Sequence, residues 1–168
     1  MVFYGTVFRG PIPVIVKVVS LNPLLNLPTQ GGIETVMEKI SPILIVDDDV
    51  EDHMMLEEYF REVGISDKVT FIINGQLALE YLESIEDSAQ LPKLLVLDLN
   101  MPILTGSQVL LQIKQTPRFK NIPVIIFSTS INENEKRKCL SIGALEYLVK
   151  PITWEEGGRI AKRFASFV

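Results

Sequence analysis

From Pro42 onward, short apolar runs alternate with segments of helical period. The runs are ILIV (43–46), VTFII (69–73), LLVL (94–97), VIIF (124–127) and EYLV (146–149). Between them Leu56, Phe60 and Val63 fall on one helical face, as do Ala78, Leu82 and Ile85. Val109, Leu110 and Ile113 mark another helix, Glu133 to Ile142 a weaker and more polar one, and Ile160, Phe164 and Phe167 a last one. Five near-continuous apolar strands with helices between them predict an α/β fold, a parallel sheet with helices on both faces. The last helix has a flaw. Gly157 and Gly158 sit in its first turns, each costing about 1 kcal/mol relative to alanine, so it is expected to begin late or fray.

Residues 1–40 stand outside this alternation. Their best apolar run, Ile12 to Val19, is broken by Pro13 and Lys17 and falls short of the ~20 residues a membrane span needs. A signal peptide's basic start and small-residue cleavage site are not evident. The segment reads as a disordered or loosely attached extension, or as a mis-called start with Met37 the true first residue. Residues 41–168 then form one domain, and a chain of 168 residues with 47% hydrophobic content can build its core.

Charge narrows the partners. Residues 1–33 hold Arg9 and Lys17 and no acid, so the net charge of -5 becomes -7 over the remainder. No large basic surface is left to neutralise phosphates, which argues against a nonspecific nucleic-acid binder. The single cysteine, Cys139, cannot make an intramolecular bridge, in keeping with the reducing cytoplasm.

In an open parallel sheet, ligands bind beyond the carboxyl ends of the strands. The first run is followed there by Asp47 and Asp48, the third by Asp98, the fourth by Ser128 and the fifth by Lys150-Pro151. The second ends in Asn74-Gly75, an ordinary turn. Carboxylates gathered this closely stay ionised only beside a cation. Hard oxygen donors, few in number, suit Mg²⁺, which usually takes one or two carboxylates plus phosphate oxygens. Lys150 adds an ammonium and Ser128 a hydroxyl, the environment a phosphoryl group in transfer requires. Asp98 is the carboxylate best centred to attack phosphorus.

The same residues carry a resemblance. ILIVDDD, LLVLDLNMPILTG, IPVIIFSTS and GALEYLVKP, in order and correctly spaced, resemble the signatures of the response-regulator receiver domain of two-component signalling. The likeness runs from Ile43 to the last helix. It implies a doubly wound, flavodoxin-like fold with strand order 2-1-3-4-5. It implies that Asp98 is the phosphoacceptor and that Asp48 and Asp98 bind Mg²⁺ directly. Asp47 would act mainly through water, and the backbone carbonyl of Asn100 would complete the site. Ser128 takes the switch-hydroxyl position, Lys150 that of the phosphate-pairing lysine and Tyr147 that of the rotating aromatic. The Lys150-Pro151 bond is expected to be cis. A sensor histidine kinase or phosphotransfer protein would supply the phosphoryl group, and a stand-alone receiver would then signal through another, unidentified protein. Phe164 and Phe167 would suit a homodimer contact or the core equally well.

Two departures stand out. Serine replaces the commoner threonine at position 128, and Thr129 occupies a place usually held by a small residue. Blander readings exist for single residues. Asp47 to Asp49 suit a helix N-cap, Lys150 a surface position and Tyr147 a half-buried strand position. His53 has no second His or Cys beside it and reads as a solvated helix position. Two other functions compete. In a haloacid-dehalogenase-like phosphatase, Asp47 would be the nucleophile of an Asp-x-Asp motif, but Glu51 stands where that motif wants Thr or Val, and Asp98 goes unexplained. A degenerate receiver would bind partners without being phosphorylated, and the retained acids and Lys150 argue against it.

Overall fold

The computed structural model describes the backbone of residues 2–9 and 12–19 and the whole of 41–168. The proposed start at Met37 lies outside the described residues. Two strands, β1 (Val2–Arg9) and β2 (Ile12–Val19), pair antiparallel, with Val2 opposite Val19 and Arg9 opposite Ile12. The broken apolar pattern of this segment predicts no such element. Valine, isoleucine and phenylalanine suit a pleated strand, and Pro13 is tolerable in a two-stranded ribbon that has only edges.

Strands β3 (Ile43–Val46), β4 (Val69–Ile72), β5 (Leu94–Leu97), β6 (Val124–Ser128) and β7 (Glu146–Val149) form the main sheet. All pairs in it are parallel and the order is β4-β3-β5-β6-β7, so the first strand of this sheet lies between the second and third. Helices α1 (Val50–Val63), α2 (Gly75–Ser84), α3 (Gly106–Gln115), α4 (Glu133–Ile142) and α5 (Trp154–Ala165) connect or follow the strands.

The period-two alternation of each strand divides the core. Ile43, Ile45, Val96 and Phe127 point to one side, where Leu56 and Phe60 of α1 and Phe164 of α5 cover them. Leu44, Val46, Leu97 and Ile126 point to the other, against Ala78 and Leu82 of α2 and Leu110 and Ile113 of α3. The winding is therefore double, with helices on both faces. Helix α4 buries only Cys139, as its polar sequence would require. Phe164 is a core residue and Phe167 packs against the same cluster, so the structure uses both internally. Among the described residues no helix is long and apolar enough to cross a membrane.

Three local expectations change. Asn74 and Gly75 are the N-cap and first residue of α2, the Asn74 side chain accepting the Leu77 N–H at 2.8 Å. The Lys150-Pro151 bond is trans, and no cis peptide occurs among the described residues. Trans is the intrinsically preferred isomer by about 0.5–1 kcal/mol, and it coexists here with the Lys150 N–H donating to the Ser128 carbonyl at 2.9 Å. Lastly, α5 starts at Trp154, capped by Thr153, rather than beginning late.

Its two glycines differ in what surrounds them. A Cβ on Gly157 would come within 2.1 Å of the Tyr59 ring, which is buried under α5 and lies 4.5 Å from the Trp154 ring. A Cβ on Gly158 would meet nothing within 4 Å. Gly157→Ala should therefore cost about 1–3 kcal/mol through overpacking. Gly158→Ala should gain about 0.5–1 kcal/mol from helix propensity and a less flexible unfolded chain. Opposite displacements of the urea midpoint for these neighbouring substitutions would establish the contrast; equal ones would contradict it.

Candidate functional site

Parallel register assembles the site. Val46 of β3 pairs with Leu97 of β5, so the next residues, Asp47 and Asp98, leave the sheet side by side. The ladder continues one step further, with the Asp98 N–H donating to the Val46 carbonyl at 2.9 Å and the Asp47 N–H to the Ile72 carbonyl at 3.0 Å. These bonds hold the two acids on backbone that belongs in effect to the sheet. Asp48 follows directly. One carboxylate oxygen from each of Asp47, Asp48 and Asp98 falls within 4.8 Å of the others. Asp47 and Asp98 are only 1% and 5% exposed, whereas Asp48 faces solvent. Asp49 is not in this group; it is the N-cap of α1 and accepts the Glu51 N–H at 2.8 Å.

The lysine that follows β7 reaches across the sheet edge. Lys150 Nζ lies 2.8 Å from Asp47 Oδ2, 2.6 Å from Asp52 Oδ2 and 3.5 Å from Asp98 Oδ1. Burial alone would lower its pKa, but the close carboxylates of Asp47 and Asp52 and the charge of Asp98 carry it above the ordinary lysine value. The ammonium stays charged. Burial pushes the Asp47 carboxyl up to about 6, against the opposing pull of Lys150 and of the Asp49 N–H. Asp47 Oδ2 is buried beside the ammonium without an aligned hydrogen bond, so it keeps capacity to accept one or to bind a cation.

The loop after Asp98 is tightly drawn. The Asn100 N–H donates to Asp98 Oδ2 at 2.9 Å, which fixes the carboxylate's orientation. Ile103 takes a φ of 69°, and the Leu104 N–H donates to the Pro102 carbonyl at 2.7 Å across it. A β-branched residue rarely tolerates this γ-turn, so the loop stores strain beside the acids. Gly106 opens α3 hard against this loop. Its N–H donates to the Leu99 carbonyl at 3.2 Å, and a Cβ there would lie 2.0 Å from the Asp98 carbonyl oxygen.

Ser128 ends β6, fully buried, with its Oγ accepting the Ser130 N–H at 3.3 Å. Tyr147 is buried rather than half-exposed, and its hydroxyl donates to the Ser130 carbonyl at 2.8 Å. The hydroxyl and the aromatic ring thus meet through one loop residue. Both of these bonds are made to Ser130 and not to the acids.

Two residues of α1 join the site although the sequence pattern does not single them out for it. Asp52 supplies the shortest contact of Lys150. His53 is 2% exposed rather than solvated, its Nε2 donating to the Asp47 carbonyl at 2.8 Å and its ring 4.7 Å from Phe71. Burial lowers its pKa, consistent with a neutral ring that acts as a donor. A signal was present, because residues 52 and 53 extend the stripe of Leu56 and Phe60 one turn toward the helix start.

A family model for the response regulator receiver domain matches residues 43–160. The chain belongs to the response regulator receiver family. Among curated relatives it is similar to the probable methanogenesis regulatory protein FilR2 of Methanothrix harundinacea, at 31% identity over 74% of this chain and 81% of that one. It is also similar to the response regulator Rcp1 of Synechocystis, at 30% identity over 74% of this chain and 86% of that one. Among solved structures, the phosphorylated cyanobacterial phytochrome response regulator RcpA superposes with a TM-score of 0.65 at 31% identity, covering 74% of this chain and 91% of that chain. The Mn²⁺-bound form of Rcp1 gives a TM-score of 0.61 at 31% identity with the same coverage. Receiver domains are phosphoacceptor modules of two-component systems and bind a divalent cation at an acidic pocket. The donor set here fits such a cation: three oxygen ligands, two of them buried, one with free lone pairs, and an open side at Asp48.

Proposed function

We propose that this receiver accepts a phosphoryl group on Asp98 from a sensor histidine kinase or phosphotransfer protein and passes the signal on by protein–protein contact. The observation that carries the reading is the convergence of Asp47, Asp48 and Asp98 within 4.8 Å, with the Lys150 ammonium beside them. Asp47, Asp48, Asp98 and the Asn100 carbonyl would hold Mg²⁺, which when bound neutralises the crowded acids and draws charge from the phosphoryl oxygens. An Asp98 oxygen attacks phosphorus in line. The O–P bond of an acyl phosphate forms as the donor's N–P bond breaks, and the imidazole leaves with the bonding pair and takes a proton from water. Lys150 then pairs with the new dianion, and Ser128 donates its hydroxyl to a phosphoryl oxygen. Movement of Ser128 would be felt by Tyr147 through Ser130, which both side chains contact. The changed surface around β7 and α5 is read by a downstream protein or a second copy of the chain, in the cytoplasm. Residues 41–168 suffice for this chemistry, with 1–40 an appendage.

The test is direct. Incubation with Mg²⁺ and acetyl phosphate should add one phosphoryl mass, located by fragmentation in the peptide containing Asp98. A chelator should reduce the labelling rate at least about a hundredfold, since the acids would then repel the donor. Label of equal extent without the metal, or on another peptide, would overturn the proposal.

A further inference from the structure

Lys150 is held by an acid that belongs to neither the metal ligands nor the acceptor. The nearest carboxylate to its Nζ is that of Asp52, at 2.6 Å, a hydrogen-bonded contact from the first turn of α1. Asp47 follows at 2.8 Å, and Asp98, the residue that would carry phosphorus, is the farthest of the three at 3.5 Å, beyond a good hydrogen bond. The Lys150 and Asp52 side chains are 8% and 21% exposed, so this ion pair is only partly screened by water. We infer that Asp52 is a positioning residue that restrains Lys150, drawing the ammonium toward α1 and setting how readily it is given up to a phosphoryl group on Asp98.

The inference rests on the reading of Asp98 as phosphoacceptor and deepens it. An ammonium has three N–H donors. One is donated to Asp52, and Asp47 lies beside the ammonium as an ion pair at 2.8 Å without an aligned hydrogen bond. Pairing with a dianion on Asp98 requires Lys150 to swing toward β5, which lengthens its contact with α1. Asp52 resists that swing by its charge, yet it stands outside the cluster formed by Asp47, Asp48 and Asp98. Its carboxylate therefore competes with the phosphoryl group for one lysine. Phosphorylation and the position of the α1 start are coupled through that competition.

The rate of labelling by acetyl phosphate in Mg²⁺ tests this, read by intact mass against time for four chains. Asp52→Asn, which keeps the side chain's shape and removes its charge, should label about fivefold faster than wild type, the scale of one partly exposed ion pair. Asp52→Glu, which restores a carboxylate of similar reach, should return the rate to within about twofold of wild type. Asp49→Asn removes a neighbouring charge that does not touch Lys150 and keeps the helix cap, and it should leave the rate unchanged. An Asp52→Asn rate equal to or below wild type overturns the inference, as does an equal acceleration in Asp49→Asn or a failure of Asp52→Glu to slow the reaction. A wild-type chain that takes no label at all overturns the phosphoacceptor reading instead.

Discussion

Asp98→Asn should carry no phosphoryl label in Mg²⁺ and acetyl phosphate, a loss of at least about a hundredfold, while remaining folded. The amide has nearly the volume of the carboxylate and an oxygen that can still accept the Asn100 N–H, so the 2.9 Å bond that orients the side chain can persist. What disappears is the anionic oxygen that would attack phosphorus. The substitution also removes one of three acids whose oxygens lie within 4.8 Å, easing a repulsion that is least screened between the buried Asp47 and Asp98. The variant should consequently depend less on Mg²⁺ for stability. Wild-type protein should gain about 2.7 kcal/mol at a metal concentration a hundred times Kd, and Asp98→Asn far less, because a ligand is gone. Thermal unfolding with and without chelator measures this beside the labelling. Label that survives in Asp98→Asn and vanishes in Asp47→Asn would favour a phosphatase-like nucleophile over a receiver.

Gly106→Ala should be the most damaging single methyl in the domain, costing about 3 kcal/mol and slowing phosphorylation as well. The atoms its Cβ would strike are the carbonyl oxygen of Asp98 at 2.0 Å, the carbonyl carbon at 2.9 Å and the Leu99 Cα at 3.1 Å. All are backbone and none can rotate away. The strand end that carries Asp98 is tied to β3, so relief must come from a shift of α3 or of the acceptor loop. A shift of the loop moves Asp98 from its place among the acids, where misplacement by about 1 Å can cost a hundredfold in rate. The effect differs in kind from that of Gly157→Ala, where the obstructing group is a tyrosine ring that can tilt. A urea midpoint for Gly106→Ala within error of wild type would show that the helix start adjusts freely and would sink the argument.

Much of this was legible before any coordinates. Four-residue apolar runs such as ILIV and LLVL leave no face for solvent, so strands buried on both sides, and a parallel sheet, follow from the pattern. Acids placed directly after two such runs had to emerge at one edge, because parallel strands all end there. That rule located Asp47, Asp48 and Asp98 without geometry and brought Lys150 to the same edge, where Ser128 also ends its strand but bonds to Ser130 instead. It said nothing of residues within helices. His53 reads as a solvated helix position and nothing singles out Asp52, because polar side chains in a first turn usually face water. These two turn inward only because the lysine after β7 and the carbonyl of Asp47 present partners that lie 98 and 6 positions away in sequence.

The glycines teach the same lesson. By propensity alone, Gly157 and Gly158 are equal defects, and a late or frayed helix is the natural expectation. Contact with Tyr59 distinguishes them, and that contact depends on how closely α5 settles on α1. The order and type of elements in the receiver, and the edge at which its chemistry gathers, come from local periodicity and strand polarity, which act over a few residues. The partner of Lys150, the burial of His53 and the need for hydrogen at Gly106 and Gly157 come from distances between elements remote in the chain. Those distances exist only once the layers have packed.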